Sequence, residues 1–476
     1  MRILFIHPMP PSSLLVLQKI TYHYGIGSIA AVLKQHGHQV KYHAFNKFNG
    51  RKIAEILNEY KPGLVGITVN SNQFDLAQKI TNFIAEEFQL PVILGGVHAT
   101  VCPEETINIK GAFGICIGEG EYPTLELANL LEENPYPLPE DLSIKNFWFK
   151  YEGEIIKNSL RPLIQDLDSL PYCDREIIDF KKLLNYHKYL EIRATRGCPY
   201  RCSFCVSGTY QQIYNHLGRY YRTRSANNIL EEIELLRSKF KQIRSIVFDD
   251  ELMTVNKKWA IDFFEKYKEK VNLPFNLTIR ANLVDEDFIR ILKEVGCNTL
   301  MMGVENGDDF IRNEVLKKGI TTEEIINAAE IIKKYGIKLW TFNMIGVPYE
   351  TPETIKKTIK LNRKIKTDIV FVSTFYPYPG IPLEKLCREK GWISNRKVEG
   401  FFSNVTVLDQ PSITKEEVAY YHNIFPWEIL YPQVSFLIKL LAKIKITKKR
   451  SIYDLLLPLV KTIYEIYYRF KITLRF

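Results

Sequence analysis

The sequence predicts two α/β units in series: an N-terminal doubly wound parallel sheet and a partial (β/α)6 barrel, followed by a helical C-terminal tail. Three observations predict this. Short apolar runs alternate with amphipathic segments over residues 1–134, which implies a parallel sheet with helices on both faces. Prolines at 135, 137 and 139 punctuate the chain. A second alternation with six apolar runs begins near Tyr189 and suits an open barrel whose reactive groups lie at the carboxyl ends of its strands. The expected boundaries are 1–134 for the first unit, 135–185 for a linker with a hairpin, 186–400 for the barrel and 401–476 for a helical, basic C-terminal region.

In the first unit, residues 2–6, 39–43, 64–69, 91–94 and 113–117 read as buried strands, and 74–88 as a helix. Ligands in such sheets sit beyond the carboxyl ends of the strands. Those ends carry Asn70-Ser71-Asn72, Gly95-Gly96-Val97-His98-Ala99-Thr100 and Gly118-Glu119-Gly120-Glu121. Glycines there let backbone approach a large ligand closely. Residues 146–157 read as a small hairpin turning at Glu152-Gly153.

In the second unit, strands are expected at 191–195, 245–248, 275–280, 299–304, 338–344 and 369–375. Helices are expected at 229–240, 286–294, 322–335 and 351–365. Thr322 with Glu323 and Glu324 opens one of them, and Gly336 closes it.

A chain of 476 residues with 46% hydrophobic and 25% charged residues buries sizeable cores. Its eight cysteines do not form a secreted framework, and His7 and Pro8 interrupt any secretory signal. A reducing cytoplasm is the expected compartment. The net charge is +10, but residues 433–476 hold ten lysines and arginines against Asp454 and Glu465. This tail therefore supplies most of the excess, and nucleic-acid binding by the whole chain loses its support.

The chemistry concentrates in Arg196-Gly197-Cys198-Pro199-Tyr200-Arg201-Cys202-Ser203-Phe204-Cys205, just after the first barrel strand. Thiolates in a C-x3-C-x2-C run can converge on one soft metal centre, and sulfur selects zinc or iron–sulfur clusters. No fourth cysteine lies nearby; a zinc site takes its fourth ligand from His187 or His216. Three ligands on a four-iron cluster leave one iron open to a small molecule.

With Phe204 at the aromatic position, this run resembles the signature of the radical S-adenosylmethionine (SAM) superfamily. The resemblance implies a 4Fe–4S cluster on Cys198, Cys202 and Cys205, whose fourth iron is chelated by the amino and carboxylate groups of SAM. Reductive cleavage then makes a 5′-deoxyadenosyl radical that abstracts hydrogen from substrate. It places the acids of Asp249-Asp250-Glu251 at the SAM amino group, without deciding which points inward; Asp250 and Glu251 are the candidates carried forward. Arg280 pairs with the SAM carboxylate, or alternatively forms a surface salt bridge. Glu305, in Gly303-Val304-Glu305-Asn306, is similar to the family's ribose-proximal Glu. Gly346, in Asn343-Met344-Ile345-Gly346-Val347-Pro348-Tyr349-Glu350, is similar to its adenine-side segment. The resemblance covers about residues 186–395 and also implies a low-potential electron donor such as ferredoxin or flavodoxin.

The N-terminal half resembles the cobalamin-binding domain fused before many radical SAM enzymes, through residues 24–40 and the loops at 95–100 and 118–121. Ser71, Gly95, Gly96, Gly118, Glu119 and Gly120 are its candidate cobalamin contacts. The chain has no Asp-x-His-x-x-Gly element, so His98 is read as a hydrogen-bonding residue rather than a cobalt ligand.

These resemblances imply methylation of an unactivated carbon, with one SAM methylating reduced cobalamin and another generating the radical. No side chain is assigned as a general acid or base. Radical cyclisation resembling anaerobic magnesium-protoporphyrin monomethyl ester cyclase is the alternative. Methylthiolation of transfer RNA is disfavoured because Cys102 and Cys116 cannot provide an additional three-cysteine cluster. A metal-binding module recruiting partners through the basic tail is the non-enzymatic reading. In that tail Phe436, Leu437, Leu440, Leu441 and Ile444 recur at helical spacing, as do Ile463, Tyr464, Tyr467 and Phe470 after 455–460. It reads either as a cap packed on the barrel or as a basic amphipathic surface contacting the membrane at its inner face. The substrate is expected to be a small or lipid-linked molecule.

Overall fold

The computed structural model describes residues 1–9, 22–134, 142–396, 400, 403–433, 445–447 and 450–451. It divides into two compact units, one of residues 1–183, 209–222 and 378–380, the other of 184–208, 223–377 and 381–476.

The first unit is built on β1 (Arg2–Pro8), β2 (Gln39–Phe45), β3 (Leu64–Thr68), β4 (Val92–Gly95), β5 (Gly114–Cys116), β6 (Phe147–Tyr151) and β7 (Glu154–Lys157). They lie in the order β2-β1-β3-β4-β5-β6-β7, with the first five mutually parallel. Successive side chains of a strand point to opposite faces, and here both faces are apolar. Ile3 and Phe5 pack with α1 (Tyr24–Gln35) and α6 (Glu121–Glu133) through Ile26, Leu33 and Leu127. Leu4 and Ile6 pack with α2 (Gly50–Tyr60) and α3 (Phe74–Phe88) through Ile53, Leu57, Ile80 and Ile84. Two short helices, α4 (Val97–Val101) and α5 (Pro103–Ile107), follow β4. The strand order reverses between β1 and β3, the switch point at which such sheets take ligands.

The hairpin expected between the units is β6–β7. Its two-residue turn has φ of 50° at Glu152 and 87° at Gly153, the left-handed pair a tight hairpin needs. Rather than standing apart, β6 pairs antiparallel with β5 and extends the first sheet to seven strands.

The second unit is a single sheet of six parallel strands: β8 (Tyr189–Ile192), β9 (Ser245–Phe248), β10 (Phe275–Ile279), β11 (Cys297–Glu305), β12 (Lys338–Ile345) and β13 (Ile369–Thr374). They lie in chain order, and β8 and β13 remain its edges, so the barrel is open. Helices α7 (Ala226–Lys239), α8 (Lys257–Lys270), α9 (Glu286–Glu294), α10 (Thr322–Lys334) and α11 (Pro352–Lys364) connect successive strands. After α12 (Pro382–Glu389), α13 (Lys415–Leu430) lays Val418, Ile424 and Phe425 against Val370, Val372 and Ile355.

Helix α10 begins at Thr322, as expected. Thr321 is the N-cap, and its reciprocal bonds with Glu324 complete a capping box. Cys297 opens β11, directly after helix α9. No described helix is long and apolar enough to cross a membrane. Within the tail, β14 (Lys445–Thr447) and β15 (Arg450–Ser451) pair antiparallel. The apolar positions singled out at 436–444 and 455–470 lie outside the described residues.

Candidate cofactor sites

The cysteine loop leaves the carboxyl end of β8 and is anchored at both ends. At its start, the Asp250 carboxylate accepts the backbone N–H of Ala194 at 2.9 Å, that of Thr195 at 2.6 Å and the Thr195 hydroxyl at 2.7 Å. At its far end, the Ser203 hydroxyl donates to the Val315 carbonyl at 2.6 Å, and the Ser203 N–H donates to Leu316 at 3.0 Å. Leu383 N–H donates to the Ser203 carbonyl at 3.0 Å, and Cys205 N–H to that of Cys202 at 3.1 Å. All three cysteines are half-buried and free of disulfides. Burial pushes the Cys198 thiol up to about 11, and the Cys202 and Cys205 sulfurs add to that rise. Burial also raises Cys202, against the field of Lys318. Thiols that resist ionisation alone, grouped on a fixed loop, suit a metal that replaces their protons.

His187, a zinc-ligand candidate, precedes β8 and so sits at the opposite end of that strand from the cysteines. Its ring packs on Tyr186 and Tyr189, and burial lowers its pKa.

The three acids after β9 have distinct places. Asp249 pairs with Arg193 at 2.9 Å. Asp250, expected near the SAM ammonium, is instead the clamp of the loop; buried among those donors, its pKa rises to about 7, mainly through desolvation. Glu251 is exposed, and its charge is felt at Cys198.

Arg280 is not a surface salt bridge. It is buried, stacks 3.7 Å from the Tyr200 ring centroid, donates to Asn282 at 2.9 Å and donates to the carbonyl of Lys318. Glu305, at the end of β11, accepts from Lys318 at 2.8 Å. Gly346 donates its N–H to Glu350, whose other oxygen accepts from Asn306 at 2.6 Å. Fully buried Glu350 thereby ties the end of β12 to that of β11, and burial raises its pKa to about 8. Lys318 is not among the residues that the sequence singles out.

In the first unit, Ser71 follows β3, and its hydroxyl lies 3.0 Å from His98 Nδ1. His98 Nε2 lies 3.2 Å from Glu105, and burial lowers the pKa of the ring despite that carboxylate. Gly95 ends β4, and Gly96 is the N-cap of α4. Gly118 has φ +81°, and a Cβ there would fall 1.4 Å from the Tyr214 hydroxyl, so only glycine fits. Gly118 N–H donates to Thr100 at 2.9 Å, tying the β4 and β5 loops together. Glu119, expected at cobalamin, is turned to the protein: Arg222 donates to it at 2.9 Å and the Ile164 N–H at 2.8 Å. A Cβ at Gly120 would meet Ile29 of α1 at 2.9 Å, so this glycine serves helix packing.

Polar groups missed in the sequence gather at the β1/β3 switch point. The His7 and His23 rings are 4.8 Å apart, His7 Nδ1 is 2.8 Å from the Tyr42 hydroxyl, and His23 Nε2 is 3.4 Å from the Thr68 hydroxyl. Burial, helped by His23, lowers the pKa of His7 to about 3. Just after β3, the buried side-chain oxygen of Gln73 has no hydrogen-bond partner among the described residues. Imidazoles, hydroxyls and an unsatisfied amide oxygen fit a large ligand with its own amide groups, as cobalamin has. Only the place of His7 at the carboxyl end of the first strand could have hinted at this edge.

Residues 192–361 match the family model of the Radical SAM superfamily, and residues 14–128 that of the B12 binding domain. An uncharacterized methyltransferase of Pyrococcus horikoshii is 30% identical over 338 residues, 70% of this chain and 70% of that protein. The anaerobic magnesium-protoporphyrin IX monomethyl ester cyclase of Cereibacter sphaeroides is 25% identical, over 82% of this chain and 64% of its own length. Among solved structures, the radical S-adenosylmethionine methyltransferase TsrM from Kitasatospora setae shares the fold, with a TM-score of 0.70 at 15% identity over 97% of this chain and 96% of that one.

Proposed function

Because the chain belongs to the radical SAM superfamily and carries a B12-binding domain, we propose that it transfers a methyl group to an unactivated carbon of its substrate. One observation carries this reading: an anchored three-thiol loop at the mouth of an open parallel barrel, in a chain whose first sheet presents a polar switch point. When bound, the cluster with SAM supplies a hydrogen-abstracting radical, and cobalamin supplies a methyl carrier.

The protein's part is to hold and orient. Cys198, Cys202 and Cys205 are the proposed cluster ligands, and Asp250 fixes the loop that presents them. Glu251 is the acid left for the SAM ammonium, since Asp249 and Asp250 are engaged elsewhere. Arg280, Glu305 and Gly346, at the ends of β10, β11 and β12, and Phe204, in the cysteine loop, are the further proposed SAM contacts, with Glu350 setting the backbone of Gly346. At the first sheet, Ser71, Gly95 and Gly96 stand beside the His7–His23 edge as proposed cobalamin contacts. The proposed domains are 1–134, a segment over 135–185 whose hairpin extends the first sheet, the barrel over 186–400 and the basic region over 401–476. A ferredoxin or flavodoxin is the proposed donor in a cytoplasmic setting, and the tail is the proposed membrane contact for a small or lipid-linked substrate.

The cyclase of Cereibacter sphaeroides, similar over 82% of this chain, supports radical cyclisation as the second reading. Anaerobic reconstitution with iron, sulfide and hydroxocobalamin, followed by SAM and a low-potential reductant, separates the two. Methyl transfer predicts S-adenosylhomocysteine together with 5′-deoxyadenosine; 5′-deoxyadenosine alone, from protein that retains corrinoid, rejects it in favour of cyclisation.

A further inference from the structure

The Glu305–Lys318 pair is an unusual investment at the end of β11. Both side chains are nearly buried, at 12% and 9% exposure, and their charged atoms are 2.8 Å apart. Taking two charges out of water is costly, so such a pair is weak evidence of a stabilising role. The backbone is shaped around it. Glu305 has φ +61°, a left-handed conformation rare outside glycine, and the β11–β12 register shifts between Gly303 and Glu305. A Cβ on Gly303 would lie 2.3 Å from Glu305 Oε1 and 2.7 Å from Lys318 Nζ. Strain of this kind gathers where function requires a particular placement.

The pair faces the cysteine loop. Lys318 Nζ lies 6.0 Å from the centroid of Phe204, the residue between Ser203 and Cys205. Arg280 stacks on Tyr200 of the same loop and donates to the Lys318 carbonyl, holding that backbone in place whatever side chain follows it.

Resting on the radical SAM reading, we infer that Lys318 is a positioning residue for charge: its ammonium, placed by Glu305, makes the cluster held by Cys198, Cys202 and Cys205 easier to reduce. Reduction adds one electron to a group already surrounded by thiolates. A cation beside the loop that carries them favours the reduced form, and the Glu305 carboxylate disfavours it; net charge near the sulfurs is a recognised lever on cluster potential. The two halves of one ion pair therefore act with opposite sign.

The test is the midpoint potential of the reconstituted full-length protein, titrated without SAM and followed by electron paramagnetic resonance. In Lys318→Met the reduced-to-oxidised ratio at a fixed poise should fall about tenfold, or about 59 mV for one electron. In Glu305→Gln it should rise, and Lys318→Arg should stay near the parent. Shifts in the same direction for Lys318→Met and Glu305→Gln, or none, overturn the inference, as does loss of the cluster from both. If Lys318→Met alone fails to load, the sign of the Glu305→Gln shift decides. Parent protein that binds no iron and sulfide overturns the radical SAM reading itself, a separate outcome.

Discussion

Asp250 and Thr195 are joined twice over: one carboxylate oxygen accepts both the backbone N–H of Thr195 at 2.6 Å and its hydroxyl at 2.7 Å. Fifty-five residues separate them along the chain. The bond fixes the direction in which the loop leaves β8, and so where Cys198 begins its turn. Asp250→Ala leaves those buried donors without an acceptor, at about 1–3 kcal/mol for each unsatisfied group. Thermal melting should show that loss while iron uptake falls, with helical circular dichroism retained. Unchanged melting and iron content would remove Asp250 from this role.

Single replacement of Cys198, Cys202 or Cys205 by Ala should abolish iron, sulfide and SAM cleavage together, because three thiolates are the proposed anchoring set. Cys297→Ala and Cys387→Ala should keep all three signals. Both of those thiols are buried, and burial raises their pKa values. Full iron, sulfide and 5′-deoxyadenosine in any of the first three variants would reject the ligand assignment.

Glu350 introduces a pH dependence of stability. Its folded pKa of about 8 lies above the ordinary value of 4.5 because burial disfavours the charged form. Between those values the folded state binds more protons than the unfolded one, so the stability contributed by this group falls as pH rises from about 5 to 8. Glu350→Gln has no proton to lose and should flatten that slope in melts taken across the same window. A variant with the parent's slope would show that Glu350 is ionised throughout.

At Gly118 both conformation and space require glycine. Gly118→Ala should cost about 2 kcal/mol or more, since φ is positive and the new carbon collides with Tyr214. Adding Tyr214→Phe should recover only part of the loss, because the ring carbon Cζ would still lie 2.6 Å from the added Cβ. Urea melts of the single and double variants check this. Full recovery in the double variant would assign the whole cost to the hydroxyl.

The sequence by itself determined the elements and the chemistry carried by local pattern. Helix Glu286–Glu294 and strand Ser245–Phe248 fall at their expected bounds because hydrophobic period and capping residues are local signals. The cysteine run was legible for the same reason, since its spacing lies within eight residues. Only the tertiary structure decided what the carboxylates do. Asp249, Asp250 and Glu251 are adjacent and chemically alike, yet one pairs with Arg193, one clamps Ala194 and Thr195, and one faces solvent. Glu119 looked like a ligand contact until Arg222, 103 residues away, was brought to it. Lys318 carries no local signal that sets it apart, and its place is set by Glu305 and Phe204. The physical reason is that period and capping are set by neighbours along the chain, whereas a buried charge takes its role from whichever partner the packed fold brings within reach.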